Sequence, residues 1–177
     1  MIGLLIIACE IGFWIFILLG LMFRYMAGWK KAGLIMFACT PVLDLLLLAA
    51  TALDLYNGAQ ADVLHGLAAV YIGVSIAFGS RMIKWADERF AYRFAGGPKP
   101  DKGPQYGKEH AKKERKGWLR HFIAWLIGAA LLAGMHLFIG DPERTEPLIR
   151  IASLWSIILA IDFLYSFSFT LFPKKAR

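Results

Sequence analysis

Three carboxylates, Glu10, Asp44 and Asp162, stand inside long apolar runs of this sequence, with no Lys or Arg at matching depth. At about 1.5 Å of helical rise per residue, each lies roughly 12 to 15 Å from the nearer end of its run, close to the middle of a bilayer. A charged side chain there costs at least about 2.5 to 3.5 kcal/mol. Such acids are held neutral, line a wetted cavity or bind a cation, and the last two are the chemistry of a proton or ion path. Thr40, Asp44 and Thr51 share one side of a helix, where Pro41 removes a donor and frees a carbonyl one turn earlier. Asp162, Ser166 and Thr170 recur every four residues, with Tyr165 alongside. Glu10, Asp44, Asp162, Thr40 and Tyr165 are therefore the candidate ion- or proton-binding residues. The competing reading makes each acid a neutral hydrogen-bonding group that fixes the register of neighbouring helices, or turns Arg81 back toward Asp162.

Two histidines carry a second chemistry. His65 and His136 fall at about the same depth on adjacent antiparallel helices, as paired axial ligands of a b-type haem would, with Gly66 and Gly134 leaving room for a ring. With Glu10, Asp54 or Asp62 they would instead hold a metal ion. Interfacial hydrogen bonding is the simpler role, and the sequence requires no cofactor. His110 and His121 fall in or beside a basic connection, where solvated roles are expected. Cys9 and Cys39 read as small packing residues, far from any Cys-x-x-Cys spacing. No serine nucleophile elbow, phosphate-binding glycine loop or His-x-x-x-His pair is present, so no catalytic residue is assigned and no enzyme is expected.

Five apolar stretches must position these groups: Ile2 to Phe23, Ala32 to Leu53, Asp62 to Ile83, Trp118 to Ile139 and Pro147 to Phe172. Each exceeds the roughly 20 residues that a membrane-crossing helix needs. The first lacks a basic leader and a small-residue cleavage site, and is expected to stay in the mature protein. The expectation is an all-α, polytopic membrane bundle of five transmembrane helices in a single domain over residues 1–177. Ala69, Gly73 and Ala77 form a small-residue ladder on the third helix and Ala130 with Gly134 a shorter one on the fourth, the expected close-packed seams. The aromatic residues of the fifth helix cover more than one face, as a lipid-facing surface does.

Charge sets orientation. Of the 20 Lys and Arg residues, 18 fall on alternate connections or the tail, which by retention of basic residues on the cytoplasmic side puts the N-terminus out and the C-terminus in. The net charge of +7 is accounted for by this topology and by anionic inner-leaflet lipids, without nucleic acid. The long connection, residues 84–117, divides at Gly96-Gly97-Pro98: its first half continues the third helix, and its second, Gln105 to Lys116, reads as a charged helical stretch with Glu109 four residues before Lys113.

The run His65-Gly66-Leu67-Ala68-Ala69-Val70-Tyr71-Ile72-Gly73, followed by Met82 to Pro98 through Trp85-Ala86-Asp87-Glu88-Arg89-Phe90, resembles a family of small uncharacterised bacterial five-helix integral membrane proteins. The resemblance implies a multi-pass protein of the bacterial plasma membrane and brings no activity with it. Three functions follow from the residues themselves. One is proton- or cation-linked transport through a cavity lined by the intramembrane acids, with a homodimer sharing the path. Another is electron transfer by a b-type haem between His65 and His136. The last is an accessory subunit that docks on a membrane complex partner through the basic connector.

Overall fold

A computed structural model describes residues 2–101 and 103–175, with the side chains at positions 2, 3, 5, 6, 10, 30 and 41 outside the described set. The chain folds into α1 (Ile2–Tyr25), α2 (Lys30–Tyr56), α3 (Val63–Phe94), α4 (Gly107–Ile139) and α5 (Pro142–Leu171). All five carry a segment long and apolar enough to cross a membrane. The expected all-α polytopic bundle is therefore found.

The helix ends are written in capping chemistry. Asp62 starts α3 by accepting the His65 backbone N–H at 3.0 Å, with the His65 ring beside the same carboxylate. Gly140, at φ 67°, ends α4, and Asp141 caps α5 at once, followed by Pro142 in the first turn. That cap moves the start of α5 upstream of the expected Pro147, which sits inside the helix. At the opposite end α3 runs on past Ile83 to Phe94, about 48 Å against the roughly 30 Å of hydrocarbon. It does so because Ile83, Ala86 and Phe90 pack against Ile17, Leu21 and Phe37, so the extension still buries apolar surface. The charged stretch after Gln105 is no separate helix; it is the first turns of α4. What remains outside helices in this connection, among the described residues, is 95–101 and 103–106.

Two helical hairpins flank α3: α1 packs on α2, α4 on α5, and α3 joins them, mainly through α4. Small residues set the seams. A side chain at Gly33 would meet the Gly20 carbonyl at 2.7 Å, and one at Gly73 would run into the Ala124 carbonyl on α4. Gly128 lies under the Trp155 ring and 3.2 Å, by its absent Cβ, from the Ala69 carbonyl. The expected Ala69–Gly73 ladder is thus a true contact. Its partner, however, is Ala124–Gly128; Gly134 opens onto free space, so the Ala130–Gly134 ladder is corrected. At the end that holds the short α2–α3 and α4–α5 turns, the Arg144 guanidinium donates to the Leu55 and Ala59 carbonyls at 2.7 and 2.9 Å. It satisfies orphan carbonyls at the C-terminus of α2 and ties α5 to it.

Candidate functional site

The predicted acids separate into different surroundings. Asp44 points from α2 into the interface with α3 and is 7% exposed. Its side-chain hydrogen-bond partner is Ser75 of α3, and Cys9 of α1 is near enough to feel its charge. The other carboxyl oxygen, Oδ2, is buried with no partner. Two turns further along the same face, Thr51 is fully buried and its Oγ1 is also unpartnered. Thr40, one turn the other way, donates to the Phe37 carbonyl of its own helix at 2.9 Å. Apolar clusters lie on both sides of this position. Ile17, Leu21 and Phe37 lie toward the basic end, and Leu47 with Ala68, Cys9 and Leu64 lies toward the end with the tight turns. Glu10 belongs to α1, but its side chain lies outside the described residues.

Asp162 is compensated. His121 Nδ1 is 2.8 Å from its Oδ2, and the Ser166 hydroxyl donates to its Oδ1 at 3.2 Å. The Trp155 indole N–H in turn donates to His121 Nε2 at 3.0 Å. An indole nitrogen can only donate, so Nε2 must be bare, the ring proton sits on Nδ1, and Asp162 is the acceptor. Two more indoles stitch the same seam, Trp125 to the Ser156 hydroxyl at 2.9 Å and Trp118 to the Leu159 carbonyl at 3.2 Å. His121 is thus no solvated connector residue, and Arg81 does not turn back to Asp162. The missing signal was register: His121 lies 19 residues before the Gly140 turn and Asp162 lies 22 after it, so an antiparallel hairpin brings them level. Tyr165 faces away, 60% exposed, with its ring edge-on to Phe169. Asp44 and Asp162 therefore occupy different helix interfaces.

His65 is buried between two carboxylates, Asp62 at Nδ1 and Asp54 at Nε2, the latter at 3.1 Å. Both ring nitrogens are engaged, which leaves neither directed at an open coordination position. The two carboxylates approach opposite edges of the ring and do not meet at a point; among the described residues no three His, Cys, Asp or Glu side chains converge as a metal site. His136 Nδ1 meets the Thr145 hydroxyl at 2.7 Å, and that hydroxyl donates to the Asp141 carbonyl at 2.6 Å. Burial disfavours the charge on Asp62, yet hydrogen bonds from the His65 backbone and ring, the nearby His65 charge and the Leu64 N–H outweigh it and hold its carboxyl below the ordinary value. These contacts fasten α2 to α3 and α4 to α5 at one end of the bundle.

Five apolar helices, an interior acid and seams built on glycine define a multi-pass helical membrane protein. In comparison with known proteins, the chain is 54% identical over 174 residues to a Bacillus subtilis (strain 168) protein with the name "Uncharacterized membrane protein YmcC", covering 98% of this chain and 93% of that one. The chain belongs to the same family of bacterial membrane proteins. No protein-family description matches it, and no solved structure does.

Proposed function

We propose that this protein carries protons across a bacterial plasma membrane, or a small solute or cation coupled to them, with Asp44 as the group that takes up and releases the charge. The observation that carries this reading is the buried, unpartnered Oδ2 of Asp44, held between two apolar clusters. Leaving a buried polar oxygen unmade costs about 1–3 kcal/mol, and a bundle that needed only register would be better served by a satisfied group. A proton or small cation arriving at that oxygen would remove the deficit, which makes the site a docking position for a visiting positive charge. The apolar clusters on either side supply what transport requires, a central site closed toward both surfaces at once. Asp162, satisfied on both oxygens, is assigned to holding α4 on α5.

The test is proton flux into reconstituted vesicles that contain a pH-sensitive dye and carry an imposed potential. Asp44→Asn should lose the flux, whereas Asp162→Asn should keep most of it while melting at a lower temperature. Unchanged flux in Asp44→Asn would remove Asp44 from the mechanism, and flux no greater than in empty vesicles under gradients of protons and alkali cations alike would remove the transport reading.

A further inference from the structure

Arg81 stands where an apolar groove and a basic basin meet. On one side, a cavity of about 420 Å³ runs between α1 and α3, lined by Trp14, Ile17, Phe78 and Met82 and bordered at the basic end by Arg81 and Trp85. From Phe78 to Trp85 this groove follows two turns of α3, about 10 Å. On the other side, a cavity of about 300 Å³ is bordered by Arg81, Lys112, Lys113, Lys116 and Arg120, five bases against the single acid Glu109. A third hollow, of about 710 Å³, shares both Arg81 and Trp85 and adds Lys84, Arg89 and Lys99 against Glu88 and Asp101. In it Lys84 lies 3.8 Å from Glu88, and Arg89 stacks over the Trp85 ring at 4.4 Å. Among the described residues Arg81, Lys112, Lys116 and Arg120 form no ion pair. Arg81 lies near the expected hydrocarbon boundary, in a helix that then leaves the bilayer, with Trp85 one turn further at headgroup depth.

An apolar slot that adjoins a basin with four cations outside any ion pair, Arg81, Lys112, Lys116 and Arg120, at the membrane surface matches one class of ligand, a molecule with an acyl chain on a phosphate. We propose that one anionic glycerophospholipid of the basic-end leaflet binds here, its phosphate in the basin beside Arg81 and part of one acyl chain in the groove between α1 and α3. A zwitterionic lipid fills the slot equally well but brings its own cation into a basin that is already positive. Free phosphate satisfies the basin and leaves the slot empty. Only the anionic lipid matches both.

The experiment is native mass spectrometry of the full-length protein in detergent, titrated with phosphatidylglycerol and with phosphatidylcholine of the same chains. One phosphatidylglycerol per chain should be retained in preference to phosphatidylcholine, and an excess of inorganic phosphate should not displace it. Arg81→Gln combined with Lys116→Gln should weaken retention about thirty-fold, two charges' worth of attraction to an anionic lipid. Both side chains lie at the surface without ion pairs, so the fold should survive, as a melting curve would verify. Met82→Trp, which fills the slot and leaves every charge in place, should also weaken retention. Equal retention of the two lipids, displacement by inorganic phosphate, or full retention in Met82→Trp would each overturn the proposal.

Discussion

If Asp44 is kept for its chemistry, removing it should make the protein more stable. The variant to make is Asp44→Leu with Ser75→Ala, which keeps the branch at Cγ, deletes both members of the hydrogen-bonded pair and opens room on α3 for the two methyls that replace the smaller carboxyl oxygens. The unpartnered Oδ2 now costs about 1–3 kcal/mol, and abolishing it returns that sum. The lost Ser75 bond was worth about 0.5–1.5 kcal/mol net. The balance is a gain of about 1 kcal/mol, which in a chain of 177 residues corresponds to a rise of about 2–4 °C in melting temperature. A fluorescence melt in detergent micelles reads that shift, and the same preparation placed in vesicles should show no proton flux. The opposite result is equally readable: a fall of several degrees means that the carboxyl fastens α2 to α3, and the case for a transport role loses its physical basis.

Three further outcomes follow from geometry elsewhere. Trp155→Phe removes the only kind of neighbour that forbids a proton on His121 Nε2, so nitrogen NMR should find the Nδ1–H tautomer in the parent protein and a mixture in the variant, with about 0.5–1.5 kcal/mol of stability lost; an Nε2–H ring in the parent would refute the assignment. Because the Asp62 carboxyl is held below its ordinary value, its stabilisation is complete above about pH 4 and is lost as pH falls through the lowered value. Asp62→Asn, which still caps α3, should therefore melt below the parent at neutral pH by no more than about 1 kcal/mol, given the exposure of Asp62, and the gap should close in acid. Gly73→Ala should cost about 1–3 kcal/mol by driving α3 off the Ala124 carbonyl, whereas Gly134→Ala, which meets nothing, should gain about 0.5–1 kcal/mol; thermal melts of the two must move in opposite directions.

The fold was legible because membrane crossing is written in single-residue properties. Five long apolar runs, separated by the basic connection from Arg24 to Lys31, by Tyr56-Asn57-Gly58, by Gly96-Gly97-Pro98 and by Gly140-Asp141-Pro142, suffice to predict five helices and two tight turns. The acids inside the apolar runs were legible by the same test, since Asp44 and Asp162 are conspicuous in apolar surroundings. Their partners were not, because a partner is a property of register and rotation between helices. His121 belongs to a run rich in Lys and Arg and so reads as solvated; only alignment about the Gly140 turn carries it to the depth of Asp162. The same limit misplaced the α4 seam. Ala130–Gly134 and Ala124–Gly128 are equally good small-residue ladders in sequence, and what selects the second is the face that α4 turns to α3 and Trp155.

The two sides of α3 are built differently, and the proposed function depends on that contrast. On one side α3 meets α4 backbone on backbone at Gly73 and Gly128, while three indole N–H donors and the His121–Asp162 pair lock α4 to α5. Such contacts have one good geometry and resist sliding. Toward α1 and α2, apart from the one end pinned by His65–Asp54 and by Arg144 on the Leu55 and Ala59 carbonyls, the described contacts are chiefly side-chain clusters around Ile17, Leu21, Phe37 and Leu47, with Asp44–Ser75 in the middle and Arg24 at 3.4 Å from Asp87 near the basic end. Apolar clusters can slip by a rotamer without leaving a donor unmade, so the α1–α2 hairpin is the part suited to rock against a rigid α3–α4–α5 body and to open Asp44 first to one surface and then to the other. Amide hydrogen exchange in detergent micelles should then find the centres of α1 and α2 exchanging faster than those of α4 and α5. Protonation or substitution of Asp44 should change the rates in the hairpin and in the facing side of α3. Uniform protection across all five helices, or a change at Asp44 that spreads equally into α5, would show a bundle that moves as one piece and would rule out the hairpin as the gate.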